Sequence, residues 1–400
     1  VVETVKKTHY PYDLYVLIFS SLFVFLAVET TRPIIPLYIV DIGANPLELG
    51  LIVGILSFSL MILKIPLGVL AERFSRVYVI LLAVIGQSLT QFFYSIANLA
   101  LFYPIQILHA FSVAALVPMA ISVSQNLAPS GKTGEVMGLF LTSYGLANSF
   151  GPYLCSYLLT FFSYKGVFQV ASIIPLFGLL PLLALRKTNA LKSSSREHRS
   201  NPFSSLTNII HSRDLLILTF SRFSYAITYS FYITFFVVYA ANTLLLAPTL
   251  IAFLLGTRGM ADVILRIPAG RVVDKVDYKW GILSASGILA FVYLILIEAS
   301  DFFLLTLLMV IFGFGVGLRV VSEWTMLGDR CEAAARNVAA AYLSTMFDIG
   351  STIGAVLAGI LVTIWSISLI FKLASLLMII SFTTALFIHR RLPSKIVIVQ

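Results

Sequence analysis

Ionisable side chains sit inside long apolar stretches of this chain, and their types could carry binding or proton chemistry. Seven bases (Arg32, Lys64, Arg222, Arg258, Arg266, Arg319, Lys372) and four acids (Glu29, Asp262, Glu323, Asp348) are placed in this way. A charge in hydrocarbon is costly, so it marks a solute or ion pathway, or else a paired structural contact. Arg258, Asp262 and Arg266 recur every four residues and share a helical face. Arg319 and Glu323 repeat that interval, and Glu29 and Arg32 are three apart. Such neighbours neutralise each other, or together take a charged solute and a coupling proton. Lys64 and Arg266 each precede a proline near a run's end and can snorkel to polar surroundings. His109 is either a hydrogen-bonded packing residue or a proton carrier. Tyr225, Tyr229, Tyr232 and Phe236 follow one another at helical spacing, as an aromatic stripe for flat or cationic solutes or as plain packing.

The elements that must position these residues are set by composition. Of 400 residues 59% are hydrophobic and only 11% charged, against about 25% in soluble domains. That much apolar surface must face lipid, which excludes the soluble classes. Twelve apolar runs are long enough to span, at about 13–40, 47–71, 77–97, 99–127, 134–160, 164–186, 213–240, 248–270, 279–298, 302–327, 336–362 and 365–389. Backbone groups must pair internally in lipid, so each run predicts a helix and the fold class is all-α integral membrane. At 1.5 Å per residue, Arg258 lies about 15 Å into its span and Asp348 about 18 Å, both near mid-membrane.

The net charge of +9 does not read as a nucleic-acid patch, because the basic residues fall in alternate loops. With a cytoplasmic N-terminus, 19 of the 27 Lys and Arg residues are inside and only Lys165 is outside. That asymmetry predicts a multi-pass plasma-membrane protein with both termini cytoplasmic. No cleavable-signal pattern precedes Leu14. Cys155 and Cys331 imply neither a disulfide framework nor a metal site. No metal-ligand cluster, nucleophile elbow or phosphate loop appears, so neither an enzyme nor a cofactor is expected. The polar, basic stretch around Lys192–Arg199 reads as a linker, or as a regulatory or lipid-binding segment. It divides the chain into six-span bundles at 1–186 and 213–400, joined by residues 187–212.

A motif occurs once in each half. Lys64-Ile65-Pro66-Leu67-Gly68, three residues, Glu72-Arg73 returns as Arg266-Ile267-Pro268-Ala269-Gly270, three residues, Asp274-Lys275. Such duplication is the architecture of secondary transporters. With Ser75 and Arg76, the first copy resembles the signature between spans 2 and 3 of the major facilitator superfamily. The second copy is eroded, keeping Gly270, Asp274 and Lys275 with Asp277 and Lys279 nearby. The glycines are expected to allow close helix contact, and the charges to pair across a gate or act on helix ends. In span 5, Gly138, Ala147, Gly151, Pro152, Cys155 and Ser156 resemble the family's antiporter motif in part. Span 11 echoes it with Gly350, Gly354, Ala358 and Gly359. In span 1, Leu26, Ala27, Pro33 and Pro36 resemble a pattern of twelve-span drug exporters. Span 4 departs from that subclass: it reads Gln106-Ile107-Leu108-His109-Ala110, without the arginine of proton-coupled exporters.

The resemblance implies two pseudo-symmetric bundles whose spans 1, 4, 7 and 10 line a central cavity. Glu29, Arg32, His109, Arg222, Arg319 and Glu323 then become cavity candidates, with Arg258, Asp262 and Asp348 added by depth and spacing. The expected function is a monomeric secondary active transporter that exports a small organic solute by alternating access, coupled to protons or cations. Glu29 and Asp262 or Asp348 are the expected coupling acids. The excess of intramembrane bases leaves an organic-anion transporter as the alternative. A sensor reusing the fold would need a soluble output domain that this chain lacks room for.

Overall fold

The computed structural model describes residues 11–73, 76–129, 132–185, 212–331 and 336–389. Among them the first half folds as α1 (Tyr12–Thr31), α2 (Ile35–Asp41), α3 (Pro46–Arg73), α4 (Arg76–Ile96), α5 (Leu99–Asn126), α6 (Thr133–Leu158) and α7 (Tyr164–Leu185). The second half folds as α8 (Arg213–Asn242), α9 (Pro248–Val276), α10 (Tyr278–Ile295), α11 (Phe302–Arg330), α12 (Arg336–Ile364) and α13 (Ile367–Ala385). The linker around Lys192–Arg199 lies outside the described residues.

The first span is two helices because Pro33 has no N–H to donate and its ring excludes the preceding turn. The hydroxyls of Thr30 and Thr31 bond the carbonyls of Leu26 (2.7 Å) and Ala27 (3.2 Å) just before that break. The starts of α3, α5 and α11 carry side-chain caps. Asn98 accepts from Leu101 N at 3.0 Å, and Asp301 from Leu304 N at 2.9 Å. Asn45 and Glu48 bond each other's backbone N–H reciprocally, both at 2.9 Å, as a capping box for α3.

Ten helical stretches among the described residues are long and apolar enough to cross a membrane, with α1 and α2 counted together. Of the long helices, α6 and α9 are not among them. Both are polar for spans: α6 carries Thr, Ser, Asn and Gly, and α9 carries Arg258, Asp262 and Arg266.

The described residues cluster into two compact units. Unit 1 comprises Val1–Gly43, Phe58–Ser195 and Pro248–Gly256; unit 2 comprises Ala44–Ser57, Arg196–Ala247 and Thr257–Gln400. In unit 1, α1 packs on α6 and α7, and α4 packs on α5 and α7. Unit 2 repeats the pattern, with α8 on α12 and α13 and α10 on α11 and α13. The duplicated motif thus has a duplicated packing scheme beneath it.

Glycines make the close approaches, as expected where hydrophobicity gives no preference for helix over lipid. A Cβ on Gly151 of α6 would lie 2.5 Å from Glu29 Cβ and 2.9 Å from Thr30 N of α1. A Cβ on Gly178 of α7 would lie 2.8 Å from the Ser20 carbonyl, which explains why Ser20 Oγ reaches Gly178 O at 2.7 Å. The equivalent contacts in unit 2 are Gly350 against Phe223 O (2.8 Å) and Gly354 against Ile227 O (2.7 Å). Gly359 of α12 also meets α3, with its Cβ position 2.8 Å from Pro46 O and 3.2 Å from Gly50 Cα.

Candidate functional site

The polar residues of α8 to α13 assemble in unit 2 around Glu323. Its Oε2 accepts from Arg222 Nη1 at 2.6 Å, and its Oε1 pairs with Arg319 Nε at 2.8 Å. Arg319 is fully buried. Its Nη2 donates to both the carbonyl and the hydroxyl of Ser221 at 2.6 Å, and its Nη1 donates to Ser286 Oγ at 3.1 Å. Ser221 in turn reaches Ser381 Oγ at 2.9 Å. One guanidinium therefore ties α8, α10 and α11 together, with α13 joined through Ser381. Arg319 positions the site, whereas Arg222, with 15% of its side chain exposed, is its accessible face.

The row on α9 behaves as its spacing implies. Asp262 takes both donors of the Arg266 side edge, Nε to Oδ1 and Nη2 to Oδ2, each at 3.0 Å. Arg258, 3% exposed, places its guanidinium carbon 6.0 Å from the rings of both Tyr229 and Tyr232. The row is brought to α11 by two glycines. A Cβ on Gly313 would collide with the Arg258 carbonyl and lie 2.9 Å from Asp262 N, and one on Gly317 would lie 2.8 Å from Asp262 O. Asp348 of α12 is buried at 5% exposure.

The aromatic stripe divides in two. Tyr232 and Phe236 are fully buried, stack at 5.1 Å, and Tyr232 packs on Phe312 at 4.6 Å. They are core. Tyr225, Tyr229 and Phe347 instead form a triangle with centroids 5.7, 6.1 and 6.1 Å apart. Arg319 lies 4.8 Å over Tyr225 and Arg222 4.8 Å over Phe347.

In unit 1, Glu29 is 1% exposed and pairs through Oε1 with Arg32 Nη2 at 2.9 Å, while 28% of the Arg32 side chain is exposed. His109 Nδ1 meets Tyr94 Oη at 3.0 Å, and Tyr94 donates to Gln106 Oε1 at 2.8 Å. His109 is thus held in a buried hydrogen-bonded chain between α4 and α5. Gln91 Nε2 reaches Ala27 O of α1 at 3.4 Å, and the fully buried Gln87 amide has no hydrogen-bond partner among the described residues.

In the gate motif, Ser75 and the side chains of Gly68, Glu72, Arg73 and Arg76 lie outside the described residues. In the second copy Asp274 and Lys275 are exposed near the end of α9. Among the described residues the expected close approach at Gly270 is not made: the nearest atom to a Cβ there is Val321 Cγ1, at 3.9 Å. Gly138 of the span 5 motif likewise has nothing within 4 Å, whereas Ala147 is fully buried and Gly151 is a true contact. Membership of a motif therefore does not by itself make a glycine a contact: among the described residues Gly151, Gly350 and Gly354 are close contacts, whereas Gly138 and Gly270 are not. Gly270→Ala is expected to leave thermal stability unchanged or raised by up to about 1 kcal/mol, from helix propensity. A melting curve of the purified protein checks this, and a large loss would mean that the loop packs more closely than 3.9 Å.

Several site residues escaped the sequence reading. Phe347 has no signal beyond its neighbour Asp348. Gln87, Gln91 and Tyr94 are spaced at four and three residues and could have been found as a polar face. Gly313 and Gly317 form a small-xxx-small pair that could also have been found. A last group joins helix ends: Asp214 of α8 pairs with Arg330 (3.0 Å) and His389 (2.9 Å), while Arg330 Nε donates to Tyr278 Oη at 2.7 Å.

Comparison with known proteins agrees with this geometry. The profile described as Major Facilitator Superfamily matches residues 17–240 and again 218–398. An uncharacterized MFS-type transporter of Methanocaldococcus jannaschii is 26% identical over 173 residues, 43% of this chain and 43% of that protein. Quinolone resistance protein NorA of Staphylococcus aureus is 27% identical over 139 residues, 35% of this chain and 33% of NorA. The chain thus spans less than half the length of either curated relative in these matches. A bacterial homolog of the human lysosomal transporter Spinster, inward-facing and occupied, superposes with a TM-score of 0.77 at 13% identity, covering 94% of this chain and 96% of the other. The nucleoside transporter NupG gives 0.78 at 12% identity over 94% and 98%. At such identities these structures speak for the fold alone.

Proposed function

The chain belongs to the Major Facilitator Superfamily, and from that premise we propose that it exports a small amphipathic organic solute by alternating access, driven by proton exchange. The observation that carries the substrate reading is the triangle of Tyr225, Tyr229 and Phe347, with a guanidinium over or beside each ring. Rings supply apolar area and the arginines supply directional donors, the combination that small-molecule sites use for affinity and orientation. The NorA likeness supports the export direction. The bias of Lys and Arg toward alternate loops supports a membrane orientation with cytoplasmic ends.

Among the acids, Glu29 fits the coupling role best. Glu323 holds two arginines and Asp262 is held at both oxygens, so protonating either would strand buried positive charge. Glu29 pairs through Oε1 with Arg32, an arginine exposed enough to turn toward water. Gly151 packs directly on its backbone, so a change at Glu29 is felt by α6. His109 already sits in a closed hydrogen-bond chain, which favours a packing role for it.

The test is reconstitution into liposomes with an imposed pH gradient, following internal pH and the movement of amphipathic dyes. Glu29→Gln is expected to abolish gradient-driven accumulation while leaving downhill exchange within about threefold of wild type. Accumulation that survives Glu29→Gln would remove Glu29 from the mechanism, and movement indifferent to the gradient would remove proton coupling altogether.

A further inference from the structure

The charge of the unit 2 cluster is not balanced within it. Among the described residues four arginines (Arg222, Arg258, Arg266, Arg319) and three carboxylates (Asp262, Glu323, Asp348) lie in the long helices of unit 2. Glu323 is engaged at both oxygens by Arg222 and Arg319, and Asp262 at both by Arg266. In a medium of low dielectric an excess cation is costly, and an anionic ligand relieves that cost.

The arginines are not equivalent as ligands for an anion. Arg319 is fully buried; its Nη1 and Nη2 donate to Ser286 and Ser221, and its Nε is ion-paired with Glu323 Oε1 at 2.8 Å. Arg266 has committed its Nε–Nη2 edge to Asp262. Arg222 binds Glu323 through Nη1 alone, and its buried Nε has no hydrogen-bond partner among the described residues. A carboxylate admitted beside this buried, unpartnered Nε would meet the Nε–Nη2 edge in the same two-point geometry that Arg266 offers Asp262. The flat face of the same guanidinium covers Phe347 at 4.8 Å. Phe347, Tyr229 and Arg222 are partly exposed, as is Arg266, whereas Arg258 and Arg319 are buried.

We infer that this cluster is a binding site for an aromatic carboxylate. The ligand ring lies against Phe347 and Tyr229, and its carboxylate takes the Nε–Nη2 edge of Arg222, with Arg258 adding positive field from behind Tyr229. This deepens the transporter reading and rests on it, since it names the class of solute carried.

The experiment measures equilibrium binding, without a gradient, on the purified protein in phosphatidylcholine nanodiscs. Benzoate and benzylammonium, matched in ring and opposite in charge, are compared by saturation-transfer NMR. Benzoate is expected to bind at least tenfold more tightly than benzylammonium. Arg222→Lys, which keeps the charge toward Glu323 and loses the two-point edge, is expected to weaken benzoate at least tenfold with little change in melting temperature. Tyr229→Leu serves as a second variant and is expected to weaken benzoate without altering the charge. Equal binding of the two probes, or benzoate affinity unchanged in both variants, would overturn the proposal. Benzoate binding in a protein that moves no solute would sink the transport reading and keep the site, whereas gradient-driven dye export with no benzoate binding does the reverse.

Discussion

Glu323→Gln is expected to cost about 3–5 kcal/mol of stability, the usual penalty for breaking a buried ion pair by removing one partner. The reason is geometric. Glu323 is 2% exposed and is the direct counter-ion of both Arg222 and the fully buried Arg319. A neutral amide leaves Arg319 charged inside the packing of α8, α10 and α11, where water cannot reach it. Arg222 has partial exposure and tolerates the loss better, so Arg222→Gln is expected to cost clearly less than either Glu323→Gln or Arg319→Gln. Unfolding of the purified protein in mixed micelles reads all three. A ranking with Arg222→Gln the most damaging would contradict the assignment of Arg319 and Glu323 as the supporting pair.

Gly313→Ala is the second large effect, and its sign depends on one methyl group. The added Cβ meets the backbone of α9 at Arg258 and Asp262 and lies 2.7 Å from Ala261 Cβ. Backbone atoms inside a helix cannot step aside, so α9 and α11 must separate. Overpacking of this kind costs about 1–3 kcal/mol, and here it also shifts Arg258 of α9 relative to Tyr229 and Tyr232 of α8. Transport is expected to fall at least tenfold. The same substitution at Gly138, which has nothing within 4 Å, is expected to stabilise by about 1 kcal/mol. Similar melting temperatures for the two variants would mean that the α9–α11 contact is not as close as described.

Much of this architecture was legible in the chain. Hydropathy located the helices to within a few residues, because the demand for internal backbone pairing in lipid acts on each run separately. Pairs at three- and four-residue spacing, such as Glu29 with Arg32 and Asp262 with Arg266, were legible for the same reason: both partners belong to one helix. The family signature was legible in residues 68–76 although their side chains lie outside the described residues. Less legible was the status of the small residues. Gly270 and Gly313 look alike in sequence, yet one is open and the other is a backbone contact.

The sequence by itself determined that this is a duplicated, all-helical membrane protein of the Major Facilitator Superfamily with charges held inside its spans. Those properties follow from local pattern: apolar length, helical spacing and the side of the membrane on which loop charges fall. Only the tertiary structure decided which charges are buried among hydrogen-bond partners from other helices and which are partly exposed. Arg319 donates to serines on α8 and α10, and Arg222 has a buried Nε with no hydrogen-bond partner among the described residues and lies over Phe347 of α12. Those partners come from distant parts of the chain, and the distinction rests on a few ångströms between helices, which no spacing along one helix encodes.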